Sequence, residues 1–293
     1  MTARPRRSCL YMPGANAKAL EKARSLPADV VILDLEDAVA PDTKADARAA
    51  VVAAVEQGGY APREVVIRVN GLTTPWGAFD VAAAVAAKPD ALLFPKLSSK
   101  DDVKAANDAM SAAGASGSMG LWAMIETPLA ILDIKKIAAA SASTRLTTFV
   151  MGTNDLAKET RARQTPDRAP FHLALAAAVT AARAYGLTVI DGVFNDIADT
   201  EGFAAICRQG LEFGFDGKTL IHPSQIGPCN AIFAPEPAEI AQAHAVIAAF
   251  ADPANAGKGV LKVEGRMTEL LHLAMAEQTV AIAEAIATLE AAT

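Results

Sequence analysis

The chain has 293 residues, of which 52% are hydrophobic and 20% charged, a composition typical of a globular protein and not of a disordered one. This length can bury a full core without disulfides, and it suits either one large α/β barrel or two ordinary domains. The formal net charge is −6, so no overall basic field favours nucleic acid, and an anionic substrate would need locally placed Arg, Lys or a metal ion.

Short apolar, β-rich runs alternate along the chain with alanine-rich stretches of helical spacing. The eight predicted strands are 8–12, 30–35, 64–69, 91–95, 120–125, 146–151, 187–191 and 217–221. The predicted helices between them are 16–25, 43–57, 76–86, 99–113, 130–140, 171–185 and 200–209. This rhythm predicts parallel βαβ units, and eight of them close most naturally into a (β/α)₈ TIM barrel. An open doubly wound sheet is the alternative, weakened because no GxGxxG follows the first strand.

The segment after the eighth strand is too long to be a single closing helix. It contains an apolar run at 226–233, a predicted helix at 238–251, a Gly-containing linker and a last amphipathic helix near 271–291. Because a barrel does not need this tail for closure, we predict a catalytic barrel domain over residues 1–227 and a C-terminal helical extension over 228–293. We expect the extension to pack on a neighbouring subunit of a homo-oligomer.

The three cysteines are widely spaced, form no CxxC pair and have no histidine at metal-ligand spacing, so we expect reduced thiols. The N-terminus lacks the apolar segment of a signal peptide, and no apolar run approaches the length of a membrane span. The sequence therefore predicts a cytoplasmic protein with neither a membrane nor a nucleic-acid partner.

Polar residues collect at the predicted carboxyl ends of the strands, where a purely structural barrel does not need them. Each one alone could be a salt bridge or a helix cap. So many charges at one rim would repel one another unless a ligand used them. They are Asp34, Glu36, Asp37, Arg68, Asn70, Lys96, Glu126, Asn154, Asp155, Asp191, Lys218 and His222.

Glu126 and Asp155 follow neighbouring strands and are the best candidates for a metal pair. Two acidic oxygen donors without a nearby His or Cys favour Mg²⁺, or Mn²⁺, over zinc. Each of the two could instead cap the helix that follows it. Arg68 ends an apolar strand and would place a guanidinium in the barrel mouth, where burial without a partner is costly.

Two interpretations of Arg68 stay open. In the first, its guanidinium binds a substrate carboxylate or an oxyanion that develops in the reaction. In the second, it forms a structural salt bridge with Glu36 or Asp37. A serine hydrolase is disfavoured, because the chain has no GxSxG motif.

Several blocks of the chain occur in an order that resembles one family. They are RSCLYMPG at 7–14, VVILDLEDAVAP at 30–41, IRVNG at 67–71, LFPK at 93–96, IETP at 125–128, GTNDL at 152–156 and FDGKTLIHPSQ at 215–225. Together they resemble the citrate lyase β-subunit-like (CitE-like) branch of the HpcH/HpaI aldolase family, which includes malyl-CoA and citramalyl-CoA lyases. The resemblance implies a TIM barrel that assembles as a homotrimer or hexamer and acts on a CoA thioester with Mg²⁺.

By position, the resemblance implies that Glu126 and Asp155 are the metal ligands and that Arg68 is a catalytic residue. Arg68, Glu126 and Lys22 are the expected substrate-binding residues, with Lys22 at the position of a lysine that helps to hold CoA. Asn16 stands where some of these lyases carry an arginine.

The resemblance also extends to the C-terminal tail, where lyases of this family have a lid that reaches over the neighbouring active site. Glu269 stands at the position of the lid aspartate, the proposed acid/base, and is one methylene longer; the alternative is that it is only a carboxylate at the start of a helix. Glu36 and Asp37 are expected to orient Arg68 or metal-bound water.

The activity implied by the resemblance is that of a carbon–carbon lyase. The substrate would be a 3-hydroxyacyl-CoA such as malyl-CoA, β-methylmalyl-CoA or citramalyl-CoA. Its cleavage would give acetyl-CoA or propionyl-CoA and an α-keto acid, glyoxylate or pyruvate. Two alternatives stay open: a malyl-CoA thioesterase, which would release free CoA and malate, and a citrate lyase β subunit that acts on a citryl thioester within a complex.

Overall fold

The computed structural model describes residues 4–292 and contains a closed barrel of eight parallel strands. Neighbouring strands of the barrel are consecutive in sequence, and the eighth strand closes the barrel by pairing with the first. The strands are β1 Ser8–Pro13, β2 Val30–Asp34, β3 Glu64–Arg68, β4 Ala91–Phe94, β5 Gly120–Ile125, β6 Leu146–Met151, β7 Thr188–Asp191 and β8 Gly217–Leu220. The predicted (β/α)₈ barrel is confirmed.

Helices connect the strands of the barrel, and others follow its last strand. They are α1 Ala17–Ala23, α2 Lys44–Gln57, α3 Gly77–Ala87, α4 Lys100–Ala112, α5 Pro128–Leu132, α6 Ile134–Ala139, α7 Thr153–Thr160, α8 His172–Ala184, α9 Thr200–Phe213, α10 Ile226–Phe233, α11 Pro237–Ala251 and α12 Leu270–Ala291. The helix predicted at 130–140 is two short helices that meet at Asp133. Helix α7 is short and mostly polar, and the sequence indicated it only as the helix that Asp155 could cap.

Alternate residues of the strands point into the barrel and fill it with an apolar layer. This inner cluster consists of Cys9, Val30, Ile32, Val66, Ala91, Leu93, Trp122, Met124, Val150 and Ile190. The residues between them pack outward against the helices. The same alternation continues past the last apolar layer, because side chains two residues apart on a strand share a face. It places Tyr11, Asp34, Arg68 and Glu126 inside the carboxyl end of the barrel.

The C-terminal extension has its own small core. A hairpin of β9 Val260–Val263 and β10 Arg266–Glu269 packs with α11 and α12 around a separate apolar cluster. The far end of α12 is tied to the barrel by an ion pair of 2.9 Å between Glu290 and Arg7. The proposed division into residues 1–227 and 228–293 stays a prediction, and positions 1–3 and 293 lie outside the described residues.

Helix α12 corrects one expectation from the sequence. It is 22 residues long, has a mean hydropathy of 1.3, and only 11% of its apolar window is buried. By length and composition it could cross a membrane, whereas the sequence was expected to hold no apolar run of such length. One such helix is weak evidence for a membrane span, and the cytoplasmic location stays a prediction.

A buried ion triad lies between the barrel and its helices at the end of β7. Asp191 and Lys218 are fully buried, 2.9 Å apart, and Nη1 of Arg168 donates to both carboxylate oxygens of Asp191 at 2.7 and 2.8 Å. Asp191 shares its strand face with Val189, which packs outward. Asp191 and Lys218 were predicted to lie with the polar residues of the barrel mouth. That prediction is wrong, because both point outward and stabilise the fold.

Removing the carboxylate of this triad should strongly destabilise the fold. Asp191→Ala leaves Lys218 and Arg168 without their counter-charge and should lower the free energy of unfolding in urea at pH 7 by about 3–5 kcal/mol. The control Asp101→Ala removes an exposed carboxylate 3.9 Å from Lys104 and should cost less than about 1 kcal/mol. Equal losses in the two variants would contradict this account.

The pH dependence follows from the same contacts. Burial alone would raise the pKa of Asp191, but Lys218 and Arg168 hold it below its usual value. The ionised carboxylate therefore stabilises the fold at neutral pH, and this contribution is lost as the pH falls through the folded-state pKa. Wild-type stability should accordingly fall more steeply on acidification than that of Asp191→Ala.

Candidate active site

Arg68 and Asp34 form the central contact of the barrel mouth. The two residues are register partners on β3 and β2. Nε and Nη2 of Arg68 donate to Oδ1 and Oδ2 of Asp34, both at 2.7 Å. Only 7% of Arg68 and 1% of Asp34 is exposed. Such a bidentate pair fixes the plane of the guanidinium and gives the buried cation its counter-charge.

Asp34 is held ionised by its surroundings. It accepts hydrogen bonds from the backbone N–H groups of Glu36 and Ala38 at 2.9 and 3.2 Å. Burial alone would raise the pKa of Asp34, but the Arg68 guanidinium and these amides hold it below its usual value. One of the two interpretations of Arg68 from the sequence was a bridge to Glu36 or Asp37, and Asp34 was not considered as its partner. The alternation of β2, continued from Ile32, was the signal that could have found it.

Glu36 and Asp37 lie on the remaining edge of Arg68. Nη1 of Arg68 is 3.0 Å from Oε2 of Glu36 and 3.3 Å from Oδ2 of Asp37. Glu36 is buried and also contacts Nζ of Lys96 at 3.0 Å, whereas Asp37 is exposed. Burial is the main cause that raises the pKa of Glu36 above its usual value. The two carboxylates therefore flank the guanidinium and leave Asp34 to orient it.

Glu126 lies just past the end of β5 and is 1% exposed. Its Oε1 accepts the backbone N–H of Lys96 at 2.7 Å. Lys96 has a φ of 54°, in the left-handed region that side chains rarely adopt. Burial, followed by the negative charges of Glu36 and Asp155, raises the pKa of Glu126 to about 8. Glu126 is thus a buried carboxylate with two other carboxylates close enough to raise its pKa.

Gly152 makes room for Glu126. A Cβ atom at position 152 would lie 2.4 Å from both Cβ and Oε2 of Glu126. The same turn leads from β6 into α7 and places Asp155 in the first turn of that helix. Within residues 4–292, no hydrogen bond or ion pair engages the carboxylate of Asp155.

Neither carboxylate caps a helix. Thr127 caps α5, because its Oγ1 accepts the N–H of Ala130 at 3.0 Å. Helix α7 begins at Thr153, two residues before Asp155. The alternative interpretation of Glu126 and Asp155 as helix caps is therefore wrong.

The donor set suits a hard divalent cation. Glu126 and Asp155 are both carboxylates, and the pKa of Glu126 is raised first by burial and then by the negative charges of Glu36 and Asp155, which a bound cation would oppose. In the described part of the chain, no three His, Cys, Asp or Glu side chains form a metal-binding group. Two carboxylates leave the other coordination positions to water and substrate, as Mg²⁺ commonly requires. This pair could hold such an ion.

Two residues named from the resemblance lie away from this cluster in the single chain. Lys22 is exposed in the last turn of α1. Glu269 ends β10 and precedes α12, and its N–H donates to Nδ1 of His272 at 2.9 Å. Among the hydrogen bonds and ion pairs of residues 4–292, none joins either residue to Arg68 or Glu126. Their functional roles stay predictions.

Comparison with known proteins places this barrel in a family. The HpcH/HpaI aldolase/citrate lyase family model matches residues 7–223. The chain belongs to the HpcH/HpaI aldolase/citrate lyase family. The resemblance inferred from the sequence blocks is confirmed, and this family member is an enzyme.

Three similar proteins cover nearly the whole chain. A (3S)-malyl-CoA thioesterase of Cereibacter sphaeroides is 48% identical over 289 residues, which are 99% of this chain and 98% of that protein. An L-malyl-CoA/beta-methylmalyl-CoA lyase of the same species is 32% identical over 308 residues, covering 97% and 96% of the two chains. CitE of Mycobacterium tuberculosis, solved in complex with magnesium, acetoacetate and coenzyme A, has a TM-score of 0.76 and 28% identity, covering 97% and 100%.

These similarities correct the expected activity of this family member. The sequence blocks favoured a carbon–carbon lyase, with malyl-CoA thioesterase as an alternative. Identity to the thioesterase is 48% and identity to the lyase is 32%, both over almost the full length. The lyase prediction is therefore wrong, and the thioesterase alternative is the better supported one.

The pKa of Glu126 predicts how the stability of the cation-free protein depends on pH. Its ordinary value of 4.5 is raised to about 8 in the folded chain, so between these values the folded state keeps a proton that the unfolded chain has lost. Wild-type stability in EDTA should therefore fall as the pH rises through this window. Glu126→Gln keeps the acceptor for Lys96 and should be more stable than wild type at pH 8 by roughly 3–5 kcal/mol.

Urea unfolding of both proteins across this pH range measures the difference. A wild-type stability that rises with pH, or a Gln variant less stable than wild type at pH 8, would contradict the assigned environment of Glu126.

Proposed function

We propose that this protein is a thioesterase that hydrolyses (3S)-malyl-CoA to free CoA and malate. The observation that carries the proposal is the 48% identity, over 99% of the chain, to proteins named (3S)-malyl-CoA thioesterase. The absence of a GxSxG motif argues for direct attack by water instead of an acyl-serine intermediate.

Arg68 is the proposed group that stabilises charge on the substrate. Attack on a thioester moves negative charge onto the carbonyl oxygen, and a fixed cationic donor lowers the energy of that state. Asp34 holds the guanidinium in one orientation, which removes the cost of ordering it during the reaction. Lys22 is the proposed contact for the phosphates of CoA, because it is an exposed cation on α1.

Mg²⁺ or Mn²⁺ is the proposed cofactor, held by Glu126 and Asp155. When bound, such an ion supplies a Lewis acid that polarises and orients substrate oxygens. Glu36 and Asp37 are the proposed supporting residues, since they flank the guanidinium edge that Asp34 leaves free. Support comes from the buried carboxylate of Glu126, whose pKa is raised by burial and by the charges of Glu36 and Asp155, and from the magnesium in the related CitE complex.

The C-terminal extension is the proposed lid of a neighbouring subunit in a homotrimer or hexamer. Met267, Leu270 and Leu271, next to Glu269, are 74%, 57% and 55% exposed, an apolar surface that such packing would cover. In that assembly Glu269 would enter the neighbouring mouth and accept the proton of the attacking water.

The products separate the proposed activity from its relatives. Purified protein with Mg²⁺ and (3S)-malyl-CoA should release free thiol and malate in equal amounts. Thiol is followed with a chromogenic disulfide, and glyoxylate is trapped as a hydrazone. Acetyl-CoA with glyoxylate as the main products would contradict the proposal, as would dependence on partner chains and a carrier-bound thioester, the behaviour of a citrate lyase β subunit.

Gly152 tests the position of Glu126 without removing its charge. Gly152→Ala places a Cβ atom where the carboxylate now lies, so the rate of thiol release should fall by about 100-fold and more Mg²⁺ should be needed. Because the added atom also meets Cβ of Glu126, which lies next to the backbone, the melting midpoint should fall as well, and turnover is compared at a temperature at which circular dichroism shows the variant folded. Gly227→Ala in α10 is the control, since nothing lies within 4 Å of its added atom, and it should behave as wild type. Wild-type turnover in Gly152→Ala would contradict the geometry.

A further inference from the structure

Tyr11 is the residue that β1 contributes to the inside of the barrel mouth. It lies two residues after Cys9 of the inner apolar layer and packs against that layer. The Cζ atom of Arg68 is 4.8 Å from the centroid of its ring, a distance typical of a cation–π contact. The ring therefore forms part of the floor of the site, directly beside the guanidinium.

The hydroxyl of Tyr11 lacks a strong hydrogen-bond partner. Its contact among the described residues is Sδ of Met124 at 4.0 Å, and a thioether is a weak acceptor. Asp34, Glu36 and Glu126 lie near enough to affect the phenol, yet none of them accepts its proton. A partly buried phenol that remains unpaired among so many acceptors is a donor available to a ligand.

The phenol is also kept protonated. Burial is the main cause that raises the pKa of Tyr11 above its usual value, and the positive charge of Arg68 opposes this only in part. At neutral pH the group therefore donates a hydrogen bond and carries no charge of its own.

Most of the N–H groups of Arg68 are already engaged, so this residue alone has little left to donate to a developing oxyanion. Asp34 occupies Nε and Nη2, and Nη1 already lies near Glu36 and Asp37. Much of the positive charge is thus neutralised before substrate arrives. A second, neutral donor on the same face would add stabilisation that these carboxylates do not cancel.

We propose that Tyr11 is a catalytic residue whose hydroxyl donates a hydrogen bond to the thioester carbonyl oxygen beside Arg68. This inference rests on the proposed thioester hydrolysis. The oxygen of water bonds to the carbonyl carbon while the C=O π pair moves onto the carbonyl oxygen, where Tyr11 and Arg68 hold the charge. Collapse re-forms C=O and breaks the C–S bond, and the departing thiolate takes up a proton equivalent to the one lost by the water. Tyr11 keeps its own proton throughout.

The test is Tyr11→Phe, which keeps the ring over Arg68 and removes the hydroxyl. Loss of one oxyanion donor should lower kcat for thiol release from (3S)-malyl-CoA by about 100-fold with little change in KM. The melting midpoint should stay at the wild-type value, because the lost contact is to a weak acceptor. Tyr185→Phe, at the end of α8 and outside the mouth, is the matched control and should keep wild-type kinetics.

The outcomes separate this inference from the proposed function. A wild-type protein that releases no thiol overturns the thioesterase proposal itself. An active wild type with an equally active Tyr11→Phe overturns only the role of Tyr11. A variant whose KM rises at unchanged kcat also overturns it, because the hydroxyl would then bind substrate and transition state equally.

Discussion

The contact between Arg68 and Asp34 is the constraint on which the barrel mouth depends. A guanidinium above the apolar filling of the barrel is tolerable only with a well-placed counter-charge, and the neighbouring strand supplies it in register. Around this pair lie four further carboxylates, at Glu36, Asp37, Glu126 and Asp155, and Nζ of Lys96 is 3.0 Å from Glu36. The mouth is therefore rich in negative charge, which adds to burial in raising the pKa of Glu126. A bound divalent cation would resolve that imbalance.

Most of the fold could be predicted from the sequence, because each strand is an apolar run bounded by Gly, Pro or charged residues. Every predicted strand lies within one residue of the observed one at each end. The bounds of helix α7 were not predicted, because eight mostly polar residues have no clear apolar period, and no Pro or Gly marks the break at Asp133. The spacing of apolar residues predicted the strands and helices well wherever burial of one face determines that spacing.

The candidate site was predicted less completely, because side-chain direction matters more there than position along the chain. Asp191 and Asp34 both end a strand, yet one faces the helices and the other the interior. Only the alternation of each strand separates them. The alternation also places Asp34 and Tyr11 inside the mouth, yet Asp34 was named only among the polar residues at the strand ends and Tyr11 was not singled out. The space left by Gly152 and the left-handed backbone at Lys96 depend on close approach between separate strands, which no local pattern reveals.

The same mouth can in principle support cleavage of either a C–C or a C–S bond, since both reactions place charge on a thioester oxygen. The short sequence blocks therefore predicted the family correctly and the reaction wrongly. Identity over the full chain is higher to the thioesterase than to the lyase and favours hydrolysis. The central physical claim beneath either reaction is that Glu126 and Asp155 bind one divalent cation. Titration of the purified protein with Mn²⁺, with free Mn²⁺ followed by electron paramagnetic resonance, tests it directly. The account predicts one tightly bound ion per chain, lost in both Glu126→Gln and Asp155→Asn; no binding, or binding unchanged in these variants, would contradict it.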